Sequence, residues 1–197
     1  MVEEKHLKLP LSEEEVRALD LGDVLYLSGI IYTARDEAHM RALEFLRRGR
    51  KLPVELKGYG IFHCGPLMRK NGEWEVVAAG PTTSSRMNLI EPEFLERSSA
   101  RAIIGKGGMS KPTVEAMQKN GACYFSITGG AAVLAAAGIK KVLGVHWLDL
   151  GMPEALWVFE TENFGPLICA IDAKGNSLYE RVKREVDVNV SRIRENL

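Results

Sequence analysis

The sequence predicts an α/β chain whose β-rich front wraps around an alternating strand and helix layer, and three observations carry that prediction. From Ala102 onward, short apolar runs alternate with helical patterns: "AII", a helix from about Lys111, "ACYFSI", "GGAAVLAAA" and "KVLGV". The front carries long runs of apolar, β-branched and aromatic residues with turn signals between them. No stretch rich in Pro, Gly or Ser separates two parts, so residues 1–197 read as one domain.

In order, "SEEEVRALD" opens with Ser12 and carries Glu15 three residues on, the pattern in which the two ends of a helix's first turn cap each other. "DVLYLSGIIYTA" reads as a strand buried on both faces. From Asp36 to Arg48 the spacing predicts a helix with Met40, Leu43 and Leu46 on its inner face, closed by Gly49. "GYGIFHCGPLM" and "WEVVAAGPTT" read as two strands of a hairpin turning at Asn71 and Gly72. "EPEFLERSSA" is a short helix with Pro92 in its first turn. "ALWVFETENFGPLICAIDAKGNSLY" adds two or three strands, the last pair joined at Lys174–Gly175–Asn176. Val182, Val186, Val190 and Ile193 then recur at helical spacing, predicting a helix over about 180–196 laid on the body or on a partner.

Composition narrows the function classes. With 26 basic and 26 acidic residues the net charge is zero, which disfavours a nucleic-acid surface. The longest apolar stretch is interrupted by Gly138, Lys140 and Lys141, so no membrane span is expected. The charged start gives no secretory signal, and a cytoplasmic location is the expectation. Cys64, Cys123 and Cys169 lack metal-binding spacing and read as core residues, so no metal held by this chain is expected.

The chemistry concentrates at three strand ends. "AIIGKGGMSKP" places Lys106 inside a glycine run, with Gly105 and Gly107 allowing an anion close to the backbone. A phosphate-binding P-loop fails on spacing, because Ala100 stands where its first glycine belongs and Gly107 where its Ser or Thr belongs. A dinucleotide fingerprint fails at Ser110. A KH-type RNA-binding loop is the alternative of a different class, opposed by Lys111 and Pro112 at the helix start and by the neutral charge. "AAGPTTSSRMN" offers Thr82, Thr83 and Arg86, and "SGIIYTARDEAH" offers Arg35 and Asp36, so hydroxyls and cations suited to a carboxylate gather at strand ends. His39 reads as a packing residue of the helix face.

Five motifs in order, "YTARDEAH", "GPTTSSRM", "IGKGGM", "ITGGAAVLAA" and "PEALWVFETENF", resemble the β subunit or C-terminal domain of class I fumarate hydratases and L(+)-tartrate dehydratases, over roughly Leu9 to Tyr179. The resemblance implies a swivelling β/β/α domain with a mixed sheet and flanking helices. It implies a hydro-lyase acting on a four-carbon dicarboxylate, fumarate–malate interconversion first and L(+)-tartrate dehydration as the alternative. The [4Fe–4S] cluster would be held by a partner α subunit, in which one iron acts as a Lewis acid on the substrate hydroxyl. Thr82 matches the family's proposed base. Lys106 and the adjoining acid Asp36 complete the catalytic set, and Arg35, Arg86, Thr83, Gly105 and Gly107 would bind substrate carboxylates. The sequence departs from the family pattern at His63, Cys64 and Asn88.

Overall fold

The main sheet is built on parallel strands. In the computed structural model, which describes residues 4–130 and 132–195, β1 (Glu4–Lys8), β2 (Val24–Thr33), β3 (Gly60–Phe62), β6 (Ala102–Gly105) and β7 (Cys123–Ser126) run side by side in one direction. The antiparallel strands β8 (Ile139–His146) and β9 (Leu156–Ile171) complete the sheet, whose order is β1-β2-β3-β6-β7-β9-β8. β9 also pairs along β2, from Val24 opposite Ile168 to Tyr32 opposite Val158, so the sheet closes on itself through β2, β3, β6, β7 and β9. A separate hairpin, β4 (Leu67–Asn71) with β5 (Glu73–Ala78), turns at Gly72, whose φ of +74° suits glycine.

Both faces of the central strands are covered. Ile61, Ile103 and Tyr124 pack with the helices α2 (Asp36–Arg47), α3 (Glu91–Ser98) and α4 (Lys111–Asn120) through Ala38, Ala42, Phe94, Leu95, Val114 and Met117. Their neighbours Phe62, Ala102, Ile104, Cys123 and Phe125 face the opposite way, toward Phe164, Leu167 and Cys169 of β9. Two-sided burial is why these runs are short and wholly apolar rather than alternating. The short helix α1 (Glu13–Arg17) has the reciprocal Ser12 and Glu15 cap that the sequence predicts.

Several expectations are corrected. "GYGIFHCGPLM" is not one strand: β3 ends at Phe62, the chain breaks at Gly65–Pro66, and only Leu67 onward enters the hairpin. The inner face of α2 is formed by Ala38, His39, Ala42 and Leu43, and Met40 is exposed, because the helix packs against α3 through His39 rather than through its larger neighbour. The two or three strands expected near the end are the single long β9, which bends through register shifts. The Lys174–Gly175–Asn176 turn leads into a helix, not a strand, after one bridge between Ile171 and Ser177. β1 has no counterpart among the expected strands, since "EKHLK" is charged and lies at the sheet edge.

The C-terminal helix, α6, spans Leu178–Glu195, starting earlier than expected; residue 196 lies outside the described residues, as does Ala131 just before the helix α5 (Ala132–Ala137). The first turn of α6 is anchored by a 3.1 Å hydrogen bond between the Tyr179 and Ser126 hydroxyls. Beyond it the helix is not laid on the body: Val182, Val186, Val190 and Ile193 are all exposed. Removing residues from 183 onward should therefore shift the thermal midpoint of the chain by less than about 2 °C. A calorimetric scan of the truncated chain checks this. Among the described residues no helix is long and apolar enough to cross a membrane.

Candidate active site at the carboxyl ends of the parallel strands

Because β2, β3, β6 and β7 are parallel, their carboxyl ends share one edge, and the loops that follow them gather there. Arg35 and Asp36 follow β2, His63 to Gly65 follow β3, Lys106 follows β6 and Gly129 follows β7. The segment from Pro81 to Met87 is drawn in between by backbone hydrogen bonds. The Thr82 N–H donates to the His63 carbonyl at 2.7 Å, and the Ser84 N–H donates to the Lys106 carbonyl at 3.0 Å. Thr83 thereby forms a parallel bridge with Lys106.

Each charged group is positioned by something specific. The Arg35 side chain lies across Gly65, where a Cβ would come within 2.7 Å of its Nη1, and its Nε is 3.1 Å from Glu154 Oε1. Arg86 meets Asp36 edge-on, with Nε 3.1 Å from Oδ1 and Nη2 2.9 Å from Oδ2. Asp36 Oδ2 is also 4.0 Å from Arg35 Nε, so one carboxylate sits between two guanidiniums. The Lys106 side chain passes over Gly129, where a Cβ would lie 3.4 Å from Cδ and 3.9 Å from Nζ. Arg35, Asp36, Thr82 and Lys106 are half-buried and Thr83 and Arg86 exposed, so the rim opens to solvent on one side.

The structure thus joins Arg35, Asp36 and Arg86 through side chains, and Thr82, Thr83 and Lys106 through backbone. No side-chain hydrogen bond or ion pair links those two groups among the described residues. Gly105 is fixed by sterics: a Cβ there would fall 2.0 Å from Ser84 Oγ. Gly107 takes a φ of +78°, the left-handed region that glycine enters without strain. The Asp36–Arg86 pair is partly solvated, so Asp36→Asn should cost less than about 1 kcal/mol of stability. If Arg86 binds an anionic substrate, releasing it should nonetheless raise KM, which urea titration and steady-state kinetics separate.

Sequence reasoning missed a polar layer directly beneath this rim. Ser84 is fully buried, accepting a 3.0 Å hydrogen bond from the Tyr124 hydroxyl and lying 2.9 Å from His63 Nδ1. Burial pushes the Tyr124 phenol well above its ordinary range. His39, His63 and Glu91 are also fully buried, and His39 is more than a packing residue although its ring does pack on Phe94. Burial would by itself raise the Glu91 carboxyl, but the His63 and His39 rings outweigh it and hold the group below the usual carboxylate range. Burial lowers the His39 imidazole. The hydroxyl run signalled Ser84, whereas nothing local distinguishes Glu91 from a surface helix-start glutamate.

The cysteines do not fit an iron–sulfur cluster. Cys64, Cys123 and Cys169 are free thiols buried in the apolar layer between the parallel strands and β9. Burial holds the Cys64 thiol far above its usual range, whereas cluster ligation requires thiolates.

Known proteins resemble this one over almost the whole chain. An L(+)-tartrate dehydratase subunit beta of Escherichia coli K12 is 45% identical over 181 residues, covering 91% of this chain and 89% of that protein. A protein of Methanocaldococcus jannaschii that carries the provisional name L(+)-tartrate dehydratase subunit beta is 48% identical over 178 residues, 89% of this chain and 91% of its own length. A Geobacillus stearothermophilus protein provisionally named a class I fumarate hydratase is 40% identical over 191 residues, 96% of this chain but 36% of that protein. Residues 2–182 match the family described as Fumarase C-terminus, and the chain belongs to that family.

Proposed function

We propose that the chain is the β-type half of a hydro-lyase that adds water to, or removes it from, a four-carbon dicarboxylate. The observation that carries the reading is the gathering of Arg35, Arg86 and Lys106 with Thr82 at one edge of parallel strands. Removing a proton beside a carboxylate builds negative charge on that group. Cations set in advance around it stabilise the charge most when water is excluded. In this reading Arg35 and Arg86 grip the carboxylates, with Thr83 and the backbone at Gly105 and Gly107 supplying further contacts. Lys106 neutralises the developing charge, and the Thr82 hydroxyl takes the proton.

A threonine hydroxyl is a weak base unless cations and a dry setting favour its ionised form, so Thr82 depends on Lys106 and on closure of the open side. Asp36, with both oxygens toward Arg86, orients that guanidinium; it can move protons only when the pair opens. A second subunit is the natural cover for the open side, and Leu89, 96% exposed beside the Arg86 segment, fits such an interface. The cluster implied by the family resemblance is assigned to that subunit, and no step on this chain passes through it.

The relatives bear both tartrate dehydratase and fumarate hydratase names, so preference for fumarate over L(+)-tartrate has no support of its own. The test is to purify the tagged chain with its partner under anaerobic conditions and assay both reactions on the same sample. Activity on either supports the hydro-lyase reading and names the substrate. A partner-bound, iron-replete complex inert toward both would defeat it.

A further inference from the structure

Three elements send one ligand-type side chain each into the interior behind the rim: His39 from α2, His63 from the segment after β3, and Glu91 from the first position of α3. All three side chains are fully buried. His39 Nε2 and His63 Nε2 lie 3.5 and 3.3 Å from Glu91 Oε2, and the three ligand atoms are within 4.8 Å of one another. Among the described residues, both Nε2 atoms and both Glu91 oxygens lack a hydrogen bond of ordinary geometry, the two rings standing only at ion-pair distance from the carboxylate. Leaving several buried polar atoms without good hydrogen bonds is costly, and long ion pairs alone offset that cost only in part.

The other ring nitrogens say what supplies the rest. His39 Nδ1 lies 2.9 Å from the Arg35 carbonyl, which can only accept, so a ring hydrogen is on Nδ1 and Nε2 is the nitrogen turned toward the Glu91 carboxylate. His63 Nδ1 is likewise held, 2.9 Å from Ser84 Oγ. Imidazoles anchored at Nδ1 to a carbonyl or hydroxyl, with Nε2 converging on a carboxylate, have the arrangement of metal-binding histidines. The two histidine–carboxylate separations, 3.5 and 3.3 Å, agree. Charge-assisted hydrogen bonds run at about 2.7–2.9 Å, whereas neighbouring ligands around a tetrahedral ion with bonds of about 2.0–2.1 Å stand roughly 3.3 Å apart.

The geometry points to a structural site for a divalent transition ion of the zinc type, ligated by His39, His63 and Glu91. Two imidazoles and a carboxylate suit that class, and the second Glu91 oxygen is available to complete the shell. This reverses the expectation that the chain holds no metal of its own, and it stands independently of the hydro-lyase reading. Full burial denies a substrate access, so the ion is a clamp. It would fix the residues carrying the Arg35 carbonyl and the His63 carbonyl that receives Thr82, tying the rim to the fold.

The test uses the full-length chain with a tag free of histidine, passed through metal-free buffer and analysed for metal by mass spectrometry. About one ion per chain is expected, retained in a His6→Ala/His146→Ala variant and lost in Glu91→Gln. Should Glu91→Gln fail to fold, the wild type still decides. After chelator treatment, added Co²⁺ should give the visible absorption of a tetrahedral site, and added Zn²⁺ should raise the thermal midpoint. Less than about a tenth of an ion per chain, with a midpoint indifferent to Zn²⁺, Co²⁺ and Mn²⁺, would overturn the proposal. Metal lost with His6 and His146 would show an adventitious ion only, and would overturn it equally.

Discussion

Gly105→Ala should lower stability by about 2–4 kcal/mol and the thermal midpoint by roughly 10 °C. The added methyl meets Ser84 Oγ at 2.0 Å, the Tyr124 hydroxyl at 3.2 Å and His63 Nδ1 at 3.3 Å, all fully buried. None of these can swing away into solvent, so relief requires breaking the Tyr124–Ser84–His63 hydrogen bonds or moving β6. Either response also displaces Lys106, the next residue, so activity of the assembled enzyme should fall with stability. Gly107→Ala is the informative contrast. Its Cβ would meet only Thr83 Cγ2, at 3.8 Å, and the cost there is backbone strain from the φ of +78°. Chemical denaturation of both variants checks the ranking; a Gly105→Ala chain as stable as wild type would remove the steric account.

Lys106→Ala should do the opposite, sparing the fold and removing the chemistry. The side chain is half-buried over Gly129 and holds no ion pair among the described residues, so its loss should change stability by less than about 1 kcal/mol. In the proposed reading it is the cation where charge develops, and its loss should then cost about 10²–10³ in kcat of the assembled enzyme. Lys106→Arg keeps the charge but exchanges a compact ammonium for a planar fork, and should recover only part of the rate. Near-wild-type turnover in Lys106→Ala would place the lysine outside the reaction.

The proposed carboxylate site is legible in the sequence because its pattern is local. Arg35 and Asp36, Thr82 and Arg86, and Lys106 each follow an apolar strand-like run; parallel strand order carries the first and last to one edge, and backbone hydrogen bonds draw the segment after β5 in between them. The strands themselves are legible where both faces are covered, as at "AII" and "CYF", since such runs need no polar residue. β1 is not, because an edge strand bearing lysines has no apolar signature. The choice of His39 over Met40 as the inward residue is illegible for another reason. Hydrophobicity favours methionine, but the partners that make a buried histidine tolerable, His63, Glu91 and the Arg35 carbonyl, come mostly from distant parts of the chain. The same distance hides the dependence of Gly105 on Ser84.

The direct pairing of β2 with β9 has a consequence for the order in which the chain can fold. β2 is complete early in synthesis, yet its partner edge is supplied by residues 158–168, so the ring cannot shut until nearly the whole chain exists. Contacts between such remote segments must first meet the entropy of closing a long loop, which slows folding. Until then β2 and β7 each present an unpaired apolar edge, the kind that recruits strands from other molecules. A chain cut short before β9 should thus be soluble only with help, and refolding of the intact chain should be limited by the arrival of its last strand.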